Sequence, residues 1–275
     1  MDELITLFNQ GKLTEAIEKA NAEVAKNPRD MPLRLVLVQL VCFTGNWERV
    51  EKVAQQLKAL DSDQEHIALT GMVDNLSIGE LQRAAVWRDG MVPEFIETPD
   101  EATNKLLWAL SCLRSGETDD YHQAMDFVLE NSPTVKLKLD GQEHVGFRDL
   151  DDVTATVFEA FTLQGNYVWL PHHLVKSIDV SRPTRLVDHL WNKARMTLHN
   201  GSSLVLFMPG IYFNSTDELS NDFLRLGRES LWPESEDVSV ELASMGRGRR
   251  VFAAGEEEFT LFDLADASLE VDSDG

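Results

Sequence analysis

The chain has 275 residues, 43% hydrophobic and 26% charged, the balance of a globular protein long enough to divide into two domains. Its 47 acidic against 25 basic side chains leave a formal net charge of −22, which repels phosphate backbones and argues against general nucleic-acid binding. No apolar run reaches the ~18 residues needed to cross a bilayer, and acids stand in MDELITLFNQ where a secretory leader carries Lys or Arg; a cytoplasmic protein without membrane contact is expected.

From the N-terminus, Gly11, Gly45 and Gly79 fall 34 residues apart. A large apolar residue follows each by two positions (Leu13, Trp47, Leu81) and a small or β-branched one by five (Ala16, Val50, Ala84). An offset copy follows, Gly116 preceding Pro133 by 17 residues as Gly11 precedes Pro28. Glycine permits the left-handed turn that ends a helix, small residues let antiparallel partners approach, and proline closes each hairpin. This period predicts a tetratricopeptide-like α-α superhelix over 1–133, with helices near 2–10, 13–26, 31–44, 47–60, 64–77, 79–89, 102–115 and 119–131. The third reads LRLVLVQLVCF, apolar on nearly every face, so neighbours on both sides are expected. Cys42 and Cys112 lie inside such patterns and are expected to be buried thiols.

Stacked hairpins leave a trough lined by the first helix of each pair. By that register it holds Leu35, Gln39, Cys42 and Phe43, then Leu69, Val73 and Ser77, then Leu106, Leu110 and Arg114. Two occupants suit it, the apolar face of a partner helix or the chain's own C-terminal half. Residues 90–101, with two prolines and no helical period, are expected to form an irregular loop.

After Pro133 the pattern shifts to period two, with Val135, Leu137 and Leu139 alternating with lysines before a turn at Asp140-Gly141. In 148–171, RDLDDVTATVFEAFTLQGNYVWLP, an acidic start leads into a β-favouring run over 153–162, a break at Gly165-Asn166, and a second strand ended by Pro171. A strand over 174–180, a short helix over 185–193, and a hairpin of 194–198 and 204–208 about Asn200-Gly201 follow. A last hairpin joins 250–254 to 259–264, and the acidic tail over 256–275 is expected to be a solvated end. The sum is an α+β chain: the helical repeat, then a small antiparallel β-rich, barrel-like domain over 134–275.

The blocks RDLDDVTATVFEAFTLQGNYVWLP, RPTRLVDHLWNKARMTL, FMPGIY, LRLGRESLW and GRGRRVF, in this order, resemble the ImpE family, whose members are also called SciE or TagJ. The resemblance is dense over 145–262 and loose over the helices. It implies a non-enzymatic, cytoplasmic accessory protein of bacterial type VI secretion, in contact with the N-terminal helix of the sheath subunit TssB. It also implies a link to the ATPase ClpV, which recycles contracted sheath.

Among candidates for chemistry, Asp149, Asp151, Asp152 and Glu159 lack the Gly and terminal Glu of a calcium loop, and a solvated acidic turn capped by Arg148 is expected. His172 and His173 are adjacent on an extended chain and point apart, so no metal is expected, and no cofactor. No Gly-x-Ser-x-Gly turn or activated Cys offers a nucleophile. The basic cluster of Arg225, Arg228, Arg247, Arg249 and Arg250 is expected to pair with the chain's own acids, or else to hold a partner carboxylate or phosphate. Trp169, Tyr167, Trp191, Tyr212 and Trp232 are expected to be mostly core, with one or two at a binding rim. An adaptor that captures a sheath helix is the leading expectation, with Leu35, Gln39, Phe43, Leu69, Val73, Leu106, Leu110, Arg114, Tyr167 and Trp169 as candidate partner-binding residues. The alternatives are a hydrolase-type enzyme built on Asp149, Asp151, Asp152 and Glu159, and a structural oligomer.

Overall fold

Helical periodicity over the first half becomes seven helices among the described residues of the computed structural model, which cover 1–60, 63–232 and 244–271. They are Asp2–Asn9 (α1), Leu13–Lys26 (α2), Met31–Cys42 (α3), Trp47–Lys58 (α4), Gln64–Asp89 (α5), Glu101–Ser115 (α6) and Thr118–Asn131 (α7). Carboxylate or amide caps start four of them: Asp30 accepts from Leu33 N, Asn46 from Arg49 N, Asp63 from Glu65 and His66 N, and Asp100 from Thr103 N. Gly90 and Gly116, both left-handed, end α5 and α6. Helix α3 packs between α2, α4 and the 3-10 turn Leu186–His189, which accounts for its apolar circumference.

The expected break at Gly79 is absent. Helix α5 runs through it for 26 residues, because Gly79 serves as a contact point and not as a turn. A Cβ there would stand 2.6 Å from the Phe161 ring. Gly11 and Gly45, which do turn the chain at φ of +77° and +66°, also face the second half, against Phe223 and Thr216. All three glycines of the 34-residue period therefore mark close contacts between the C-terminal half and the helices.

The second half and the 90–101 segment supply the strands Glu94–Phe95 (β1), Val135–Leu139 (β2), Gln142–Val145 (β3), Arg148–Asp149 (β4), Val157–Phe161 (β5), Tyr167–Pro171 (β6) and Val175–Val180 (β7). Trp191–Leu198 (β8), Ser203–Pro209 (β9), Ser230–Leu231 (β10), Arg247–Gly248 (β11), Val251–Ala254 (β12), Glu257–Thr260 (β13) and Ala267–Val271 (β14) follow, with a short helix Asp222–Arg225 (α8). Nine of these form one sheet in the order β1-β6-β5-β9-β8-β7-β14-β2-β3, antiparallel except where β1 lies parallel to β6.

Three expectations are corrected here. The sheet is open, not barrel-like: its edges are β1 and β3, and they do not pair. Closure is unnecessary because other elements cover both faces of its centre. Tyr167, Trp169, Phe161 and Trp191 face the helices, whereas Val168, Leu170, Phe158 and Met196 face a second core with Phe147, Phe252, Leu264 and Leu269. That double burial is why β5 and β6 read as continuous apolar runs. Second, the helix expected over 185–193 is only the turn Leu186–His189, and Trp191 already begins β8. Third, the acidic tail contributes an interior strand, β14, between β7 and β2, with Leu269 fully buried; residues 272–275 lie outside the described part.

Candidate functional site: a buried ion-pair seam and the cleft beside it

The buried stripe of α5 runs Val73, Leu76, Glu80, Arg83, Trp87, with two charges at positions that helical spacing reserves for apolar groups. They are matched across the seam. Glu159 projects from β5 on the same face as Val157 and Phe161, toward the helices. Arg83 grips it with Nε and Nη2, each 2.9 Å from a carboxylate oxygen. On the far side Arg250 bridges Glu159 and Asp149 through its two Nη atoms. Glu80 extends the chain, 3.5 Å from Arg83 and accepting from Trp191 Nε1 at 3.0 Å. The charges alternate from Glu80 to Arg83, Glu159, Arg250 and Asp149, so each guanidinium lies between two carboxylates.

Aromatic groups complete the shell. Tyr167 donates its hydroxyl to Glu159 and accepts from Trp169 Nε1 at 2.7 Å, while Trp87 Nε1 reaches Glu159 at 3.1 Å. Tyr212 donates to Asp149 at 3.0 Å and accepts from Val251 N at 2.9 Å. Burial alone pushes the Glu159 carboxyl up, but Arg83 and Arg250 together outweigh it and hold it at about 2. Burial raises Asp149 despite Arg250, and raises Asp151, beside Asp149, to about 8. Asp151 accepts from Val153 N at 3.0 Å and Gly246 N at 2.9 Å, pinning the turn after β4.

The solvated acidic turn is therefore corrected: Asp149, Asp151 and Glu159 are each at most 2% exposed, Asp149 and Glu159 because arginines neutralise them inside the protein and Asp151 because the backbone N–H groups of Val153 and Gly246 hold it. Only Asp152 keeps the expected partner, Arg148, at 3.7 Å. His172 is also buried, among Phe147, Phe158 and Phe252, and burial lowers its imidazole to about 3. His173 pairs instead with Asp100 at 3.4 Å. No group of three or more His, Cys, Asp or Glu suited to a metal occurs among the described residues.

The candidate partner-binding residues lie inside. Gln39, Phe43, Leu69, Val73, Leu106, Leu110, Tyr167 and Trp169 are buried, and Leu35 and Arg114 are half-buried. Much of the trough is occupied by the chain's own C-terminal half: Gln39 Oε1 accepts from Val187 N at 3.5 Å, and Gly79 meets Phe161. Both cysteines are buried and free. Of the arginine cluster, Arg250 pairs as described and Arg247 meets Asp217 at 3.0 Å. Glu80, Arg83 and Trp87 escaped sequence reading, although charge within the apolar stripe of a helix is a signal of buried partners.

Beside this seam the two halves leave a cleft of about 570 Å³. Its apolar wall is Trp47, Leu81, Ala84, Leu190 and Phe213; Glu48, Asp217 and Glu218 supply acids, and Arg88 is the exposed cation. Trp47 stacks on Trp191 at 5.9 Å and Phe213 on Trp87 at 5.1 Å, so both rings are held from behind. Leu81 is 55% exposed, an apolar side chain open to contact.

A family model described as "ImpE protein" matches residues 141–268, which contain β3 to β13, the start of β14 and every C-terminal member of the ion-pair seam. Over that stretch, just under half its length, the chain is similar to the ImpE family. A similar protein, the type VI secretion system accessory component TagJ of Pseudomonas aeruginosa, is 28% identical over 267 residues, 96% of this chain and 90% of that protein. The crystal structure of protein VPA1032 from Vibrio parahaemolyticus shares the fold, with a TM-score of 0.85 and 20% identity over 99% of this chain and 98% of that one. No helix among the described residues is long and apolar enough to cross a membrane.

Proposed function

We propose that this chain is an ImpE-family accessory component of a type VI secretion system, a non-enzymatic adaptor that holds an amphipathic helix of a sheath subunit in the cleft between its halves. The family match and the TagJ relative support the secretion role. The cleft carries the binding mode: an apolar wall of Trp47, Leu81 and Phe213, edged by Glu48, Asp217 and Glu218, suits a helix with one greasy face and flanking Lys or Arg. The N-terminal helix of TssB is the partner proposed, and delivery of contracted sheath to ClpV is the purpose. An adaptor fits better than a hydrolase because Asp149 and Glu159 are closed off from solvent and already bonded to Arg83 and Arg250.

A synthetic peptide of that sheath helix should bind the full chain with a Kd of about 10 μM or tighter. Leu81→Asp and Ala84→Arg, both on the α5 wall, should each weaken it at least about tenfold, the loss of one buried apolar contact. Equal affinity for a scrambled peptide, or indifference to both substitutions, would remove the cleft as the site.

A further inference from the structure

A second pocket opens on the opposite side of Arg250, and its charge is inverted relative to the rest of this acidic molecule. It measures about 280 Å³ and lies between the 3-10 turns Leu186–His189 and Leu261–Leu264 and the 226–228 segment. Arg228, Arg249, Arg250 and His189 line it, and none of its lining residues is an acid. Arg249 spends its Nε and Nη2 on the carbonyls of Gly227 and Arg228, both at 2.9 Å, and no carboxylate meets it among the described residues. Arg228 has no hydrogen bond or ion pair from its side chain there either; its guanidinium lies 5.3 Å over the Phe8 ring. The Nε atoms of Arg228 and of the 1%-exposed Arg250 are buried without partners, and so is Oδ1 of Asn192 in the same wall.

Nearby acids are already engaged. Asp188 serves Thr184 and Arg185, Asp263 caps Thr260, Glu229 accepts from Asn221, and Asp149 and Glu159 take the Nη atoms of Arg250. Arg228 and Arg249, which meet no carboxylate among the described residues, repel one another, and buried donors without partners cost stability. Burial and the neighbouring Arg249 both lower the Arg228 pKa.

We infer that this pocket binds the oxyanion headgroup of a small molecule, a phosphate or carboxylate, with Arg228, Arg249 and Arg250 as its cationic wall. The Arg228 guanidinium, whose side chain makes no hydrogen bond among the described residues, supplies donors to the oxyanion. Leu226, Leu261 and the 39%-exposed Phe262 leave room for a short apolar portion. The inference is independent of the helix cleft, which lies across the seam.

Calorimetric titration of the full chain with inorganic phosphate, phenyl phosphate and benzoate tests it, with sodium chloride at matched ionic strength as the control. Saturable binding of phosphate or phenyl phosphate, or of benzoate, is expected, and whichever binds identifies the headgroup. Arg228→Gln should weaken that binding at least about tenfold and Arg228→Lys should restore part of it, while the ligand-free melting temperature of Arg228→Gln equals or exceeds that of the parent. No saturable binding by any of the three beyond the chloride control would overturn the assignment. So would Arg228→Gln binding as tightly as the parent, or a lowered ligand-free melting temperature, which would make Arg228 a structural residue.

Discussion

Glu159 shows at the single-residue scale how this chain uses charge. Removing one partner of a buried ion pair leaves the other uncompensated, which typically costs about 3–5 kcal/mol. Glu159→Gln takes from Arg83 and Arg250 one of the two carboxylates each meets and is expected to lower stability by about that range in denaturant titration at pH 7. The pH dependence has a definite sign. The folded carboxyl sits at about 2, below the unfolded value of about 4.3. Its contribution is therefore complete above about pH 5 and is lost as pH falls from about 4 toward 2. The stability gap between the parent chain and Glu159→Gln should narrow over that window; a gap independent of pH would show that Glu159 is not held ionised by its arginines.

Among elements, α5 joins the helical stack to the sheet. It touches β6 and the turn Phe213–Thr216, carries Glu80 and Arg83 into the seam, and lines the cleft with Leu81 and Ala84. Its Gly79 packs directly against the hairpin of β5 and β6. Gly79→Ala should raise intrinsic helix propensity by about 1 kcal/mol, yet its methyl would stand 2.6 Å from the Phe161 ring and 3.1 Å from Gly165 O. Overpacking of this kind costs about 1–3 kcal/mol, so net destabilisation is expected in thermal unfolding. A gain in melting temperature would mean the hairpin yields and the contact is loose. The same glycine shows the limit of reading a period: a 34-residue recurrence locates contact points equally well whether the chain turns there or runs straight through.

At the scale of the whole molecule, the apolar core that begins at Leu4 and Phe8 continues without a break through Phe161, Trp169, Trp191 and Leu226. Thr14 and Asp222, 208 residues apart in sequence, are hydrogen-bonded through both the Thr14 backbone N and its hydroxyl. Helices and sheet sharing a core and a buried ion-pair network should lose both together. Scanning calorimetry is expected to give one cooperative transition, with helical and aromatic circular dichroism signals melting at the same temperature. Two resolved transitions would show that the halves are held by the partner or the crossing charges only weakly. The open cleft and the cationic pocket both lie where segments distant in sequence converge, which is why neither could be listed residue by residue from the chain.

Local chemistry made much of the architecture legible in the sequence alone. Helix boundaries followed Gly11, Gly45 and Gly116 as turns, the Asp140-Gly141 and Asn200-Gly201 hairpins followed turn stereochemistry, and the ImpE resemblance followed long ordered blocks. What a residue touches across the fold was decided only in three dimensions. Asp149, Asp151 and Glu159 look like solvated acids until Arg83 and Arg250 arrive from 76 and 91 residues away to neutralise Glu159. The trough suits a partner helix as well as the chain's own second half until Val187 and Phe161 are seen against it, and an acidic tail looks like a loose end until β7 and β2 provide the edges between which β14 pairs. Burial and charge compensation are properties of neighbours, and neighbours distant along the chain leave little trace in local pattern.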